Sequence, residues 1–150
     1  MTTNEEDREW LQYICHGDAD AADFLIMFFM MCHLWDDLID KDVERTDDDI
    51  NRAFWVALVD IPRNRYYRRF EPEITPLMAV AIQEWFAANK LEAGNRRDIA
   101  YTLRCSIVSL IHQAAEYCGG YEWASKVGEE NRLKSQSETL EEYTKELDDA

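Results

Sequence analysis

Only three prolines and five glycines punctuate these 150 residues. An all-β fold needs turn residues at short intervals, and this scarcity argues against one. Positive charge is scarce too: 16 Lys and Arg stand against 31 Asp and Glu, a formal net charge of −15. A nucleic-acid backbone is bound by a net positive surface, so this balance speaks against nucleic acid as a partner. Long hydrophobic runs are missing. The longest, Phe24 to Trp35, covers about 12 residues with His33 counted, and a membrane span needs about 20. Cys15, Cys32, Cys105 and Cys118 form no CxxC pair and fall in or at the end of apolar segments. Buried, reduced thiols in a cytoplasmic protein fit that pattern better than a disulfide framework does. The opening residues, Met1 to Asp7, are polar and acidic, unlike a secretory signal.

What is present is helical periodicity. Hydrophobic residues make up 47 % of the chain, enough for a core in one domain. The expected fold class is all-α, a single-domain bundle of about six helices over residues 1–134. The polar stretch 135–150 is expected as an acidic tail, mobile at its end. The first helix runs from about Asn4 to Cys15, capped by Thr3 or Asn4 and closed at Gly17. The second, near Asp18 to Lys41, is apolar nearly all round and should be central, burying Phe24, Phe28, Met31 and Trp35. Thr46-Asp47-Asp48-Asp49 caps a third helix to about Val59, with Ile50, Phe54, Ala57 and Leu58 on its inner face. Tyr66 to Pro76, with two prolines, reads as a connector. A fourth helix spans Pro76 to Ala93, with Leu77, Ile82, Trp85 and Phe86, and stops at Gly94. A fifth, capped by Asn95, spans Arg96 to Cys118 and stops at Gly119-Gly120, with Ile99, Leu103, Ile107, Leu110 and Ile111 inward. A sixth begins near Tyr121 and fades beyond Lys134.

The densest chemical signal is His33-Leu34-Trp35-Asp36-Asp37-Leu38-Ile39-Asp40. On a helix Asp36 and Asp40 stand at i,i+4 and Asp37 and Asp40 at i,i+3, so the three can overhang one edge. Close carboxylates repel unless a cation sits among them, and oxygen ligands suit Mg²⁺ or Mn²⁺. His33, one turn earlier, would orient a carboxylate or add a nitrogen ligand. The alternative is a solvated acidic helix end. The charge is also uneven: residues 36–49 carry eight acids against Lys41 and Arg45, while Arg63, Arg65, Arg68 and Arg69 cluster without an acid among them.

Asp36-Asp37-Leu38-Ile39-Asp40 is a DDxxD sequence, with Trp35 before it and Phe28 and Phe29 two turns back. It resembles the first aspartate-rich motif of class I isoprenoid and terpene synthases. The resemblance implies Mg²⁺ held against a substrate diphosphate at the mouth of an all-α bundle. That family's second metal motif has a displaced echo in Asn131, Ser135 and Glu138, with Glu138 one position early. The chain is about half the length of such a synthase, so the resemblance implies a metal-edged bundle more than terpene chemistry. The DxxD pair Asp37 and Asp40 is also similar to the acids of all-α nucleotide pyrophosphohydrolases, whose second acidic pair has its nearest counterparts in Glu84, Asn89 and Glu92.

Other candidates are scattered. His112 and Glu116 stand four apart on the fifth helix, a structural pair or a ligand and general base, with Arg104 two turns earlier. Glu84 is an exposed helix acid or a buried catalytic one. Arg63, Arg65 and Arg104 match phosphate oxygens through their guanidinium forks, or neutralise nearby acids. No nucleophile elbow, Gly-rich phosphate loop or zinc-ligand spacing occurs. Two readings follow. One is a divalent-metal helical bundle acting on a phosphorylated small molecule, a di- or triphosphate. The other is a non-catalytic acidic interaction protein or nucleic-acid mimic, which in size and composition resembles small helical proteins that phages encode. In either case no membrane partner is expected, and the separate acidic and basic patches suggest a homodimer.

Overall fold

The computed structural model describes residues 5–150, which include no strand. The elements are α1 (Glu5–Ile14), α2 (Ala19–Asp40), α3 (Asp47–Trp55), a π-helical turn (Val56–Asp60), α4 (Ile61–Arg63), α5 (Arg65–Ala93), α6 (Arg97–Leu103), α7 (Val108–Ser135) and α8 (Leu140–Asp149). The all-α expectation holds. Five helices are ten residues or longer, and the shorter α3 and α6 fall within the expected third and fifth helices. None of the described helices is long and apolar enough to cross a membrane. The cap expected at Thr3 or Asn4 lies outside the described residues.

The chain divides into two compact units, Met1–Glu71 and Pro72–Ala150. In the first, α2 packs against α1, α3 and α4. Asp18 caps α2 by accepting the Ala21 N–H (2.9 Å), and Lys41 ends it in the left-handed conformation (φ 59°). Phe24 and Phe28 are buried as expected, whereas Met31 and Trp35 are only half-buried. Phe24 lies 5.7 and 5.6 Å, ring centre to ring centre, from Tyr66 and Tyr67. Asn64 caps α5 by accepting the Tyr67 N–H, and its amide donates to the Asp20 carbonyl on α2.

The third helix departs from expectation. Thr46 and Asp49 form the capping box that its sequence announced. Its inner face, however, is Ala53 and Val56, followed by Ile61, while Phe54 and Leu58 are 67 % and 68 % exposed. An α-helical count from Val56 would bring Asp60 inward. The π turn inserts one residue and brings Ile61 there instead, with its N–H bonded to the Val56 carbonyl. Ala53, Val56 and Ile61 therefore take the core seats, while Phe54 and Leu58 face out.

The Tyr66–Pro76 stretch is helical, part of α5, with a break at Phe70 (φ −117°, ψ 15°). Pro72 falls in the first turn after that break, where its missing N–H costs no helical bond. That accounts for Pro72, while Pro76 lies farther inside α5.

In the second unit Ile74, Ala81 and Ala88 recur at seven-residue spacing as the buried stripe of α5. The expected fifth helix is interrupted: residues 104–107 run in tight i→i−3 turns between α6 and α7, with the Ser106 hydroxyl bonded to the Leu103 carbonyl. Ile99, expected inward, is 37 % exposed, while Leu110 and Ile111 are buried. Arg96 rather than Asn95 occupies the cap position of α6.

The stop expected at Gly119-Gly120 is real. Gly120 has φ 86° and ψ 178°, and α7 turns back on itself there. A Cβ on Gly128 would lie 3.6 Å from the His112 ring, although sixteen residues of straight helix span about 24 Å. The stretch expected as a mobile tail carries α8 instead. Thr139 and Glu142 form a second capping box, and Tyr143 is buried. One aromatic anchor and a capped start order a segment whose composition alone reads as solvated.

Candidate functional site

The Asp-rich end of α2 gives its three acids three different surroundings. Lys41 turns the chain back, and Arg45 returns over the last turn of the helix. Its Nε donates to Asp37 Oδ2 at 2.7 Å, its Nη2 reaches the same oxygen, and the two side chains are 15 % and 18 % exposed. Asp36 is half-buried and lies beside Cys32, while Asp40 is exposed. Burial pushes the Cys32 thiol up to about 12, with the Asp36 charge adding to the rise. His33 falls below its ordinary value, mainly through desolvation, partly offset by Asp37 and Asp36. Among the described residues no three His, Cys, Asp or Glu side chains gather as they would around a metal ion. A cation using all three aspartates would have to share Asp37 with Arg45, whose two nitrogens both take Oδ2. The residues therefore do not fit the Mg²⁺ or Mn²⁺ centre that the aspartate-rich resemblance implies.

The arginine cluster is exposed at Arg63, Arg65, Arg68 and Arg69. Arg69 lies over the Phe70 ring, 4.9 Å from its centre. Within the 36–49 acids, Asp37 pairs with Arg45, from inside the acidic stretch itself.

In the second unit the structure joins Arg104 to Glu92 and Asn89, which the sequence offered in a different role. Arg104 Nε lies 3.1 Å from Glu92 Oε2, and Arg104 Nη1 donates to Asn89 Oδ1 at 2.8 Å. The buried Tyr143 hydroxyl donates to the same Glu92 oxygen. Burial and then this bond to Glu92 raise the Tyr143 pKa. Sequence reasoning missed Tyr143 because it sits in the presumed tail; the Thr139-x-x-Glu142 capping box was the available signal. A cavity of about 210 Å³ opens here, lined by Tyr101, Arg104, Cys105, Gln136, Glu138 and Tyr143 among others. Burial and the neighbouring Glu146 carboxyl raise Glu138. Arg104 is engaged by Glu92 and Asn89, so it is not an open phosphate clamp.

Of the remaining candidates, His112 and Glu116 share one stretch of α7. Glu84 is half-buried and Glu116 exposed. His112 packs against Gly128 across the α7 turn, and burial, then the Arg132 charge, hold its pKa below the ordinary histidine value. Asn131, fully buried, accepts from the Ser135 hydroxyl at 3.1 Å, whereas Glu138 lies beyond the end of α7. The displaced second motif therefore does not lie on one helix.

Comparison with family models, with curated proteins and with solved structures finds no match.

Proposed function

We propose that this chain is a non-catalytic, acidic helical interaction protein that binds a basic partner. The Asp37–Arg45 pair carries the reading. The sequence's strongest ligand motif already holds an internal cation, and the Arg104–Glu92 pair in the second unit is closed in the same way. The excess acid is then left on the surface. Asp40, Asp42, Glu44, Asp47 and Asp48 are exposed in the first unit, and Glu138, Glu141, Glu142, Glu146, Asp148 and Asp149 in the second. Surfaces of one sign steer oppositely charged partners and repel like ones. A cytoplasmic setting belongs to this proposal and rests on the cysteine pattern.

A lysine-rich peptide and its lysine-acetylated form test the reading, because acetylation removes charge and little else. The unmodified peptide should bind, weaken as salt rises from 50 to 500 mM, and outcompete the acetylated form. Neither a prenyl diphosphate nor a nucleoside triphosphate should turn over with Mg²⁺ or Mn²⁺. Equal binding of both peptides, or metal-dependent turnover of either phosphate class, would overturn it.

A further inference from the structure

The outward face of the helical run from Asp47 to Arg63 is left exposed by the fold. The run is continuous: Trp55, Val56, Asp60 and Ile61 all keep right-handed helical dihedrals through the π turn. Helical phase puts Asp47, Phe54, Trp55, Leu58 and Arg63 on the side opposite Ala53, Val56 and Ile61, and all five are exposed. Trp55 is 57 % exposed yet held, its indole N–H donating to Asp60 Oδ1 at 3.0 Å. A large apolar side chain fixed in an exposed position loses little entropy on being covered.

The pattern along this face is segregated. Acid stands at its start, three large apolar residues at its centre and base at its end. Trp55 lies midway, eight residues from both Asp47 and Arg63.

We propose that a second copy of this chain covers this face, the two runs pairing antiparallel about a two-fold axis near Trp55, with Asp47 of each copy against Arg63 of the other. A two-fold contact must be self-complementary, and a face with acid, apolar and basic zones in that order is complementary to its own reversal. Antiparallel pairing also sets the helix dipoles in opposition. The exposed parts of Phe54, Trp55 and Leu58 offer about 300 Å² per copy. Completing a stable interface of about 800 Å² per partner takes the flanks from Asp47 to Arg63 as well. The net charge of −15 on each copy opposes association, so the dimer forms in the micromolar range rather than tighter. This inference is independent of the partner-binding reading.

Sedimentation velocity on the whole chain across the micromolar range tests it. The expected result is a monomer–dimer equilibrium between 17.7 kDa and twice that mass. Phe54→Ser with Leu58→Ser should weaken it about tenfold or more, with an unchanged helical circular dichroism spectrum. Asp47→Lys alone and Arg63→Glu alone should each weaken it, and the two together should restore it, which only this register explains. A chain that stays at 17.7 kDa throughout overturns the proposal, and so does a dimer indifferent to Phe54 and Leu58 or a double swap that fails to restore. A monomer whose face is instead protected by an added amphipathic Leu/Lys peptide would assign the face to a foreign basic helix, and also overturns it.

Discussion

Gly120→Ala is the sharpest probe of the second unit, because it attacks the point where α7 turns back. With φ 86° and ψ 178°, Gly120 occupies a region that is essentially glycine-only. Nothing lies within 4 Å of where its Cβ would go, so the cost is backbone strain, not a clash. Strain of this kind costs about 1–3 kcal/mol, and loss of unfolded-chain freedom returns about 0.4–1 kcal/mol. The net loss is about 1–2 kcal/mol. For a unit of this size that lowers Tm by roughly 5–15 °C. Asparagine offers no rescue, since it tolerates the left-handed helical region near ψ 47° and not an extended ψ. Gly94→Ala is the internal control: its φ is not positive and its Cβ would meet only carbonyls at 3.7 Å, so it should be neutral or gain up to about 1 kcal/mol. Thermal unfolding followed by far-ultraviolet circular dichroism reads both. If Gly120→Ala melts at or above Gly94→Ala, the folded-back α7 is wrong.

Phe24→Ala removes a ring that is 1 % exposed among Phe28, Tyr66 and Tyr67, and should cost about 3–5 kcal/mol in urea denaturation. With its thiol pushed up to about 12, Cys32 should be about one part in ten thousand thiolate at pH 8 and resist iodoacetamide in the native state; Asp36→Asn should speed its alkylation by lowering that pKa. The unfolded thiol ionises near 9, so the stability tied to neutral Cys32 is full below pH 9 and lost between pH 9 and about 12, a slope that Cys32→Ala should flatten. For His112, whose pKa lies below 6.5, the sign is reversed: its contribution is present above pH 6.5 and lost as pH falls through the folded value, and His112→Gln should reduce that acid sensitivity.

Local signals in the sequence reached far. The α2 bounds, the three glycine stops and the Thr46 cap are set by one or two residues acting on their own neighbours, and such signals are readable without a fold. The misreadings share a different cause. On the third helix the pattern offered two apolar faces, Phe54 with Leu58 and Ala53 with Val56, and periodicity alone cannot say which is inward. The fold buries Ala53 and Val56, and the π turn keeps Ile61 in line with them. Pro72 misled because a proline is a breaker inside a helix but tolerated in its first turn, and nothing local places the break at Phe70. The tail misled because composition ignores a single buried tyrosine.

At the Asp-rich motif a cation comes from the chain itself, since Arg45 pairs with Asp37. Five residues after the motif's last aspartate, Arg45 was within reach, since a left-handed Lys41 reverses the chain immediately after the helix. If Arg45 is what closes this site, removing it should let a divalent ion in. Arg45→Ala leaves Asp37 without its guanidinium beside Asp36 and Asp40, and their mutual repulsion rises. Mg²⁺ added to this variant should then raise its Tm, by the equivalent of about 2.7 kcal/mol at a hundredfold excess over its Kd. The parent chain, with Arg45 in place, should show no such rise. Adding Asp37→Asn to Arg45→Ala should abolish the gain, because one charge and one ligand are then lost together. A parent chain that responds to Mg²⁺ as strongly as Arg45→Ala would mean that Arg45 yields to the metal, and the interaction reading would give way to a metal-dependent one.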